Sequence, residues 1–237
     1  MKNRFIRYTG RETLLYKIVD SMIFDIQKTL CRIKYLFRNR YLFIDKLHLG
    51  CGGVYLKNFI NTDVIGRCQS YIDITKKMPL PNQSVNTIYS NHLIEHIYLK
   101  EAIYHLNECY RVLKKNGTLI ISTPDMRKII KTFDERNIEL EFQHDEFTLE
   151  NLYTECCDVK FHPSLYINEM SHILFGHKFL YDFEYLKHRL QEAGFTDIKQ
   201  VGNRETGITQ IDELPFDEAM DSITTTIVAK KNDNEII

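Results

Sequence analysis

The sequence predicts an α/β fold, a mostly parallel sheet covered on both faces by helices, and three observations carry that expectation. Apolar runs of strand length alternate with longer stretches in which apolar residues recur every three or four positions. The connections between them are short, as they are where consecutive strands and helices lie side by side. A glycine turn, Gly50-Cys51-Gly52-Gly53, directly follows the first strand, and Asp63 stands ten residues beyond it. In such sheets ligands gather at the carboxyl ends of the strands.

Residues 1–44 read as an N-terminal helical arm. From Arg11 to about Arg38, Leu15, Val19, Met22, Ile26, Leu30 and Ile33 recur at helical spacing with basic side chains between them. Residues 1–40 hold ten Lys or Arg against Glu12, Asp20 and Asp25, an excess of seven positive charges. Packing of this arm on the domain is the favoured reading, and a basic face resting on anionic lipid is the alternative.

Residues 45–230 form the main domain. Strands are expected at Lys46 to Leu49, Phe59 to Val64, Thr87 to Ser90, Thr118 to Ser122, Asp197 to Val201 and Thr224 to Lys230. The clearest helix runs from about Ile94 to Leu113, with Ile97, Ala102, Leu106, Cys109 and Leu113 on one face. Lys114-Lys115-Asn116-Gly117 closes it, positive charge at the negative helix end and then a glycine stop. A second helix, Phe183 to Ala193, ends at Gly194. Residues 126–178 break the alternation, and their acids, aromatics and Pro163 suggest a helical insertion on the substrate side. The polar residues 231–237 are expected to form a flexible tail.

With 237 residues and 43% hydrophobic content the chain can bury a substantial core. A net charge of -1 offers nucleic acid no general attraction, so no nucleic-acid partner is expected. Six scattered cysteines follow no C-x-x-C framework and read as free thiols. No apolar run reaches bilayer-spanning length and no secretory signal is evident, so a cytoplasmic protein is expected, at the inner face of the membrane if the arm engages lipid.

The chemistry concentrates after the first and third long strands. Glycine admits positive φ and close ligand approach, while a carboxylate at the tip of the next strand, Asp63, can accept ribose hydroxyls. A dinucleotide fingerprint fails, because Tyr55 stands where its third glycine belongs. Ser90, Asn91, His92 and His96 follow the strand at 87–90, and the two histidines are candidate general bases since imidazole titrates near neutrality. His92 to His96 also spell H-x-x-E-H, a zinc-peptidase signature that needs both histidines mid-helix; here the motif follows a strand directly.

In order, Leu47 to Gly53, Asn61-Thr62-Asp63, Asp73 with Leu80-Pro81, His92-Leu93-Ile94-Glu95-His96, Arg111 to Gly117 and Ser122-Thr123-Pro124-Asp125 resemble class I S-adenosylmethionine-dependent methyltransferases. The resemblance covers roughly residues 47–125, with an echo at Ala193-Gly194-Phe195. It implies a Rossmann-like sheet with the insertion after the fifth strand. S-adenosylmethionine would be bound by Gly50, Cys51, Gly52, Gly53, Asp63, Asp73, Ser90 and Asn91, with Asp63 on the ribose and Asp73 beside the adenine. His96 and His92 are the implied catalytic candidates, with no ranking between them. Ubiquinone-biosynthesis O-methyltransferases, also similar here, bind a divalent metal, which His92, Glu95 and His96 could hold; no metal is assigned.

The chain departs from the family pattern in the short link from Gly53 to Asp63, in Asn86 and in Asn116. The short link, with His177 and Tyr181-Asp182, is similar to a bacterial subgroup linked to surface-polysaccharide biosynthesis. The leading expectation is therefore O-methylation of a sugar or glycan precursor. Methylation of another small metabolite, with or without a metal, and a non-catalytic scaffold that keeps the fold are the alternatives.

Overall fold

The computed structural model describes residues 19, 21–31, 45–65, 68–135, 176–215 and 217–232. Residues 136–175 of the expected insertion, most of the arm and the last five tail residues lie outside the described residues.

The described strands are β1 (Lys46–Leu49), β2 (Ile60–Asp63), β3 (Ser70–Tyr71), β4 (Val85–Asn91), β5 (Leu113–Pro124), β6 (Thr196–Val201) and β7 (Thr224–Lys230). They form one Rossmann-like sheet in the order β3-β2-β1-β4-β5-β7-β6. All neighbours from β3 through β5 are parallel, whereas β7 runs antiparallel to both β5 and β6. The order reverses between β1 and β4, which opens a crevice outside their carboxyl ends. Because β7 is reversed, its first residue, Thr224, pairs with Pro124 and sits at that same edge.

Alternation along the strands distributes their side chains to two cores. Leu47, Leu49, Ile88, Leu119 and Ile121 join one cluster, while Tyr89 and Ile120 join another with Leu56, Phe59 and Ile211. Each fully buried aliphatic side chain contributes about 1.5–3 kcal/mol. The helices are α1 (residues 21–31), α2 (Leu99–Val112), α3 (Met126–Glu135), α4 (Phe183–Glu192), α5 (Thr209–Asp212) and α6 (Glu218–Ile223). Ala102, Leu106, Cys109 and Val112 of α2 and Leu186 and Leu190 of α4 complete the larger core. Asp182 caps α4 by accepting the Tyr185 N–H at 2.8 Å.

Three expectations are corrected. The helix expected from Ile94 is a short 3-10 turn, Ile94–His96, separated from α2 by the extended residue Ile97. The Glu95 carbonyl accepts the N–H groups of Lys178 (2.7 Å) and Phe179 (3.2 Å), a non-local pairing that takes the place of continued helix. The left-handed residue after α2 is Asn116 (φ 63), not Gly117. Gly117 is needed instead for close approach, since a Cβ there would lie 2.8 Å from the Lys114 carbonyl. The two-residue β3 was not expected, being too short to show a period.

Lys231, at the start of the expected tail, is buried, and its ammonium donates to the carbonyls of Tyr110 (2.7 Å) and Leu113 (2.8 Å). Helix α1 meets the domain through an ion pair, Lys28 Nζ to Asp73 Oδ2 at 2.7 Å. Its apolar residues remain exposed, Met22 at 58%, Ile26 at 56% and Leu30 at 61%. No helix among the described residues is long and apolar enough to cross a membrane.

Candidate functional site

The turn after β1 is built from Gly50 (φ 63) and Gly52 (φ 52), both in the left-handed region that a side chain disfavours. The Cys51 N–H donates to the Thr62 carbonyl (2.9 Å) and the Val54 N–H to the Cys51 carbonyl (2.8 Å), closing the turn against β2. The Gly52 N–H then donates to Asp63 Oδ2 at 2.8 Å. Asp63 Oδ1 accepts the N–H groups of Val64 (2.6 Å) and Ile65 (3.2 Å), so Oδ2 is the freer oxygen of a half-buried carboxylate. A Cβ at Gly50 would lie 2.5 Å from Leu93, whereas one at Gly52 or Gly53 would meet nothing within 4 Å. The turn is therefore packed underneath and open above, with an acceptor at its rim, and these residues fit a ribose-bearing cofactor.

Asn61, two residues before Asp63, organises the short link. Its amide oxygen accepts the Leu56 N–H (2.9 Å) and lies 3.0 Å from His48 Nδ1. Its amide nitrogen donates to the carbonyls of Leu56 (3.1 Å) and Phe59 (3.2 Å) and to Gln69 (2.9 Å). One buried side chain thus satisfies backbone groups that a crossover helix would have satisfied for itself.

The remaining cofactor candidates divide. Ser90 is buried and pairs in register with Leu49, and Asn91 lies exposed at the end of β4. The Cys51 thiol is pushed up to about 12, chiefly by burial and further by Asp63, which keeps it protonated and unsuited to nucleophilic chemistry. Asp73 Oδ1 accepts from the Thr75 N–H (3.1 Å) and hydroxyl (2.7 Å), while Oδ2 holds Lys28. Lys28, too far away in sequence to be suspected, thus occupies an oxygen of the residue expected beside the adenine.

His92 follows β4 in a left-handed conformation (φ 48), uncommon for a residue with a Cβ. Its N–H donates to the Ser122 carbonyl at 2.9 Å. Its ring is held at Nε2, 3.0 Å from the Thr224 hydroxyl oxygen, while Nδ1 lies 3.3 Å from Glu95 Oε1 without a hydrogen bond. Glu95 is wholly buried, and its Oε2 accepts from the Thr123 hydroxyl at 3.0 Å. His96 turns elsewhere: its ring meets His177 edge to face, centroids 4.9 Å apart. Partial desolvation lowers the His96 pKa despite Glu95 opposing the shift.

Beside His92 lies a cavity of about 210 Å³ whose lining includes Tyr89, Asn91, Ser122, Arg204 and Asp221. Arg204 donates to Asp221 Oδ2 (2.7 Å) and to the carbonyls of Leu214 and Pro215, fixing one wall. That wall comes from the segment between β6 and β7. It was not anticipated, because nothing local in residues 203–221 marks it as facing the end of β4.

The chain is similar to several solved structures. One is an S-adenosylmethionine-dependent methyltransferase from Archaeoglobus fulgidus, at 18% identity over 91% of this chain and 100% of that one, with a TM-score of 0.45. A second, described as a possible histamine N-methyltransferase from Thermotoga maritima, is 15% identical over 93% and 98%, also with a TM-score of 0.45. A third is the CurJ carbon methyltransferase, 16% identical over 80% of this chain with a TM-score of 0.43; this chain spans about half its length (48%). Among curated proteins none matches. Residues 61–121, from the strand that ends in Asp63 to the one that ends beside His92, match the family model described as a methyltransferase domain. The matched stretch includes Asp63, the acceptor of the Gly52 N–H.

Proposed function

We propose that this protein is an O-methyltransferase acting on a hydroxyl of a sugar or glycan precursor. The observation that carries this reading is the cavity beside His92, lined by polar and apolar groups alike, on the same sheet edge as the Gly52–Asp63 clasp. Exposed Asn91 offers an amide to a polyol hydroxyl, the Arg204–Asp221 pair forms a charged wall, and Ile211, Leu214 and Met220 add the apolar surface on which a sugar ring can rest.

S-adenosylmethionine, when bound, supplies an electrophilic methyl group on a sulfonium, open to in-line displacement by an acceptor oxygen. Asp63 Oδ2 would accept from a ribose hydroxyl, and the open side of Gly52 and Gly53 would let the cofactor chain lie against the backbone. His92 would take the proton that the acceptor hydroxyl gives up as its oxygen gains the methyl and the donor sulfur leaves as a neutral thioether. Nε2 donates to the Thr224 hydroxyl oxygen, which itself donates to the Met220 carbonyl (2.7 Å), so in this mechanism the His92 ring turns from Thr224 to present a free nitrogen to the acceptor. Proximity supplies much of the rest, since alignment of donor and acceptor replaces a bimolecular encounter.

The test is a screen of nucleotide sugars and polysaccharide fragments with a methyl-labelled donor. Label in a base-stable ether on a sugar supports this reading, and label only on amines or carbon acids replaces it.

The arm supports a peripheral placement. Exposed Met22, Ile26 and Leu30, together with the seven excess positive charges of residues 1–40, suit the surface of an anionic bilayer. In this placement the arm holds the enzyme at the lipid face, and the ion pair of Lys28 with Asp73 joins arm to domain.

A further inference from the structure

We propose that Glu95, His96 and His177 form a binding site for a divalent first-row transition ion, with Zn²⁺ the best match to the donor set. One ligand atom from each residue can be chosen so that all three lie within 4.8 Å of one another. Two imidazoles and one carboxylate are the borderline nitrogen and oxygen donors that such ions take, and three protein ligands leave a further position open.

The carboxylate makes the strongest case. Glu95 is 0% exposed, and a polar oxygen at such depth is costly unless a partner satisfies it. Thr123 satisfies Oε2, but Oε1 makes no hydrogen bond among the described residues, the His92 Nδ1 standing off at 3.3 Å. A cation between Glu95 and the two histidines supplies the missing compensation. Thr123 and His92 then serve as the outer hydrogen bonds that ligating carboxylates normally carry.

The backbone is arranged to assemble this set. Lys178 and Phe179 donate their N–H groups to the carbonyl of Glu95 itself, so the segment carrying His177 is pinned to the residue carrying the carboxylate. His177 is buried at 8% exposure, and its ring meets that of His96 at 75°. A tetrahedral ion with bonds of about 2.0–2.2 Å separates its ligands by roughly 3.4 Å. Side-chain rotation of about an ångström closes the set around an ion. His96 lies at the exposed rim, so solvent reaches the open position. That position takes water or, if the methyltransferase reading holds, the acceptor oxygen next to His92; only this last clause rests on that reading.

The set differs from the sequence-based one of His92, Glu95 and His96 by exchanging His92 for His177, a residue 81 positions beyond His96 that only the fold brings near.

The test uses the full chain, stripped with a chelator and titrated calorimetrically with Zn²⁺, with bound metal counted after dialysis. The expected result is one retained equivalent, with affinity lowered at least tenfold in His96→Ala, His177→Ala and Glu95→Gln. Zn²⁺ should raise the melting temperature of the wild type and not that of His96→Ala. His96 is exposed, so this variant folds even if His177→Ala does not, and Glu95→Gln removes charge with little change of shape. Failure of the wild type to retain an equivalent overturns the proposal, as does undiminished binding in His96→Ala. S-adenosylmethionine titrated into the same samples separates the two readings: metal uptake without cofactor binding keeps this site and sinks the methyltransferase, and the converse does the opposite.

Discussion

The backbone N–H of Gly52 donates to Asp63 Oδ2 across 2.8 Å, tying the left-handed turn after β1 to the last residue of β2. A single carboxylate thereby sets the shape of the turn and offers its remaining acceptor position at the rim. Fold and ligand recognition meet in one side chain.

Asp63→Ala should therefore weaken S-adenosylmethionine binding by about 10- to 100-fold, the loss of a charge-assisted hydrogen bond of about 1.5–3 kcal/mol. Asp63→Asn, which keeps an acceptor oxygen, should lose less. Calorimetric titration checks both, and wild-type affinity in the alanine variant would remove the cofactor assignment.

The two left-handed glycines should separate stability from binding. Both variants incur the left-handed penalty of about 1–2 kcal/mol, but a Cβ at Gly50 also strikes Leu93 at 2.5 Å while one at Gly52 meets open space. Gly50→Ala should lower the melting temperature substantially. Gly52→Ala should melt closer to the wild type yet bind the cofactor poorly, because its methyl fills the ligand's side of the turn. Equal cofactor affinity in Gly52→Ala and wild type would show that the ligand lies elsewhere.

His105, fully buried on α2 with Nε2 3.5 Å from the Cys109 sulfur, should make stability fall in mild acid. Burial lowers its pKa from 6.5 to about 4, with the Glu108 charge opposing. Between those values the unfolded chain binds the proton and the folded chain does not, so stability rises with pH across that window. The contribution is complete above about 6.5 and is lost as pH falls toward 4, by on the order of 3 kcal/mol. Urea unfolding of wild type and His105→Leu at several pH values checks this; an unchanged pH slope in the variant would contradict it.

Replacing Met22, Ile26 and Leu30 by serine should abolish sedimentation with vesicles rich in anionic lipid while leaving cofactor affinity intact. Added salt should weaken the wild-type interaction, since much of it is charge attraction. If the wild type stays in the supernatant with such vesicles at low salt, the membrane placement fails.

The sequence by itself determined the parallel sheet, the bounds of β1 and β7, the helix at 183–192 and the turn that meets Asp63. Each of these is local: a period, a glycine, or an acid at a short fixed distance along the chain. Only the tertiary structure decided that the helix expected from Ile94 breaks at Ile97, because the Glu95 carbonyl bonds to Lys178 and Phe179. It alone decided that Asn61 satisfies the link in place of a helix, that Lys28 reaches Asp73, and that Arg204 and Asp221 wall the cavity beside His92. These are hydrogen bonds and ion pairs between residues distant in the chain, and a polar side chain leaves no periodic trace of the partner that folding will bring to it.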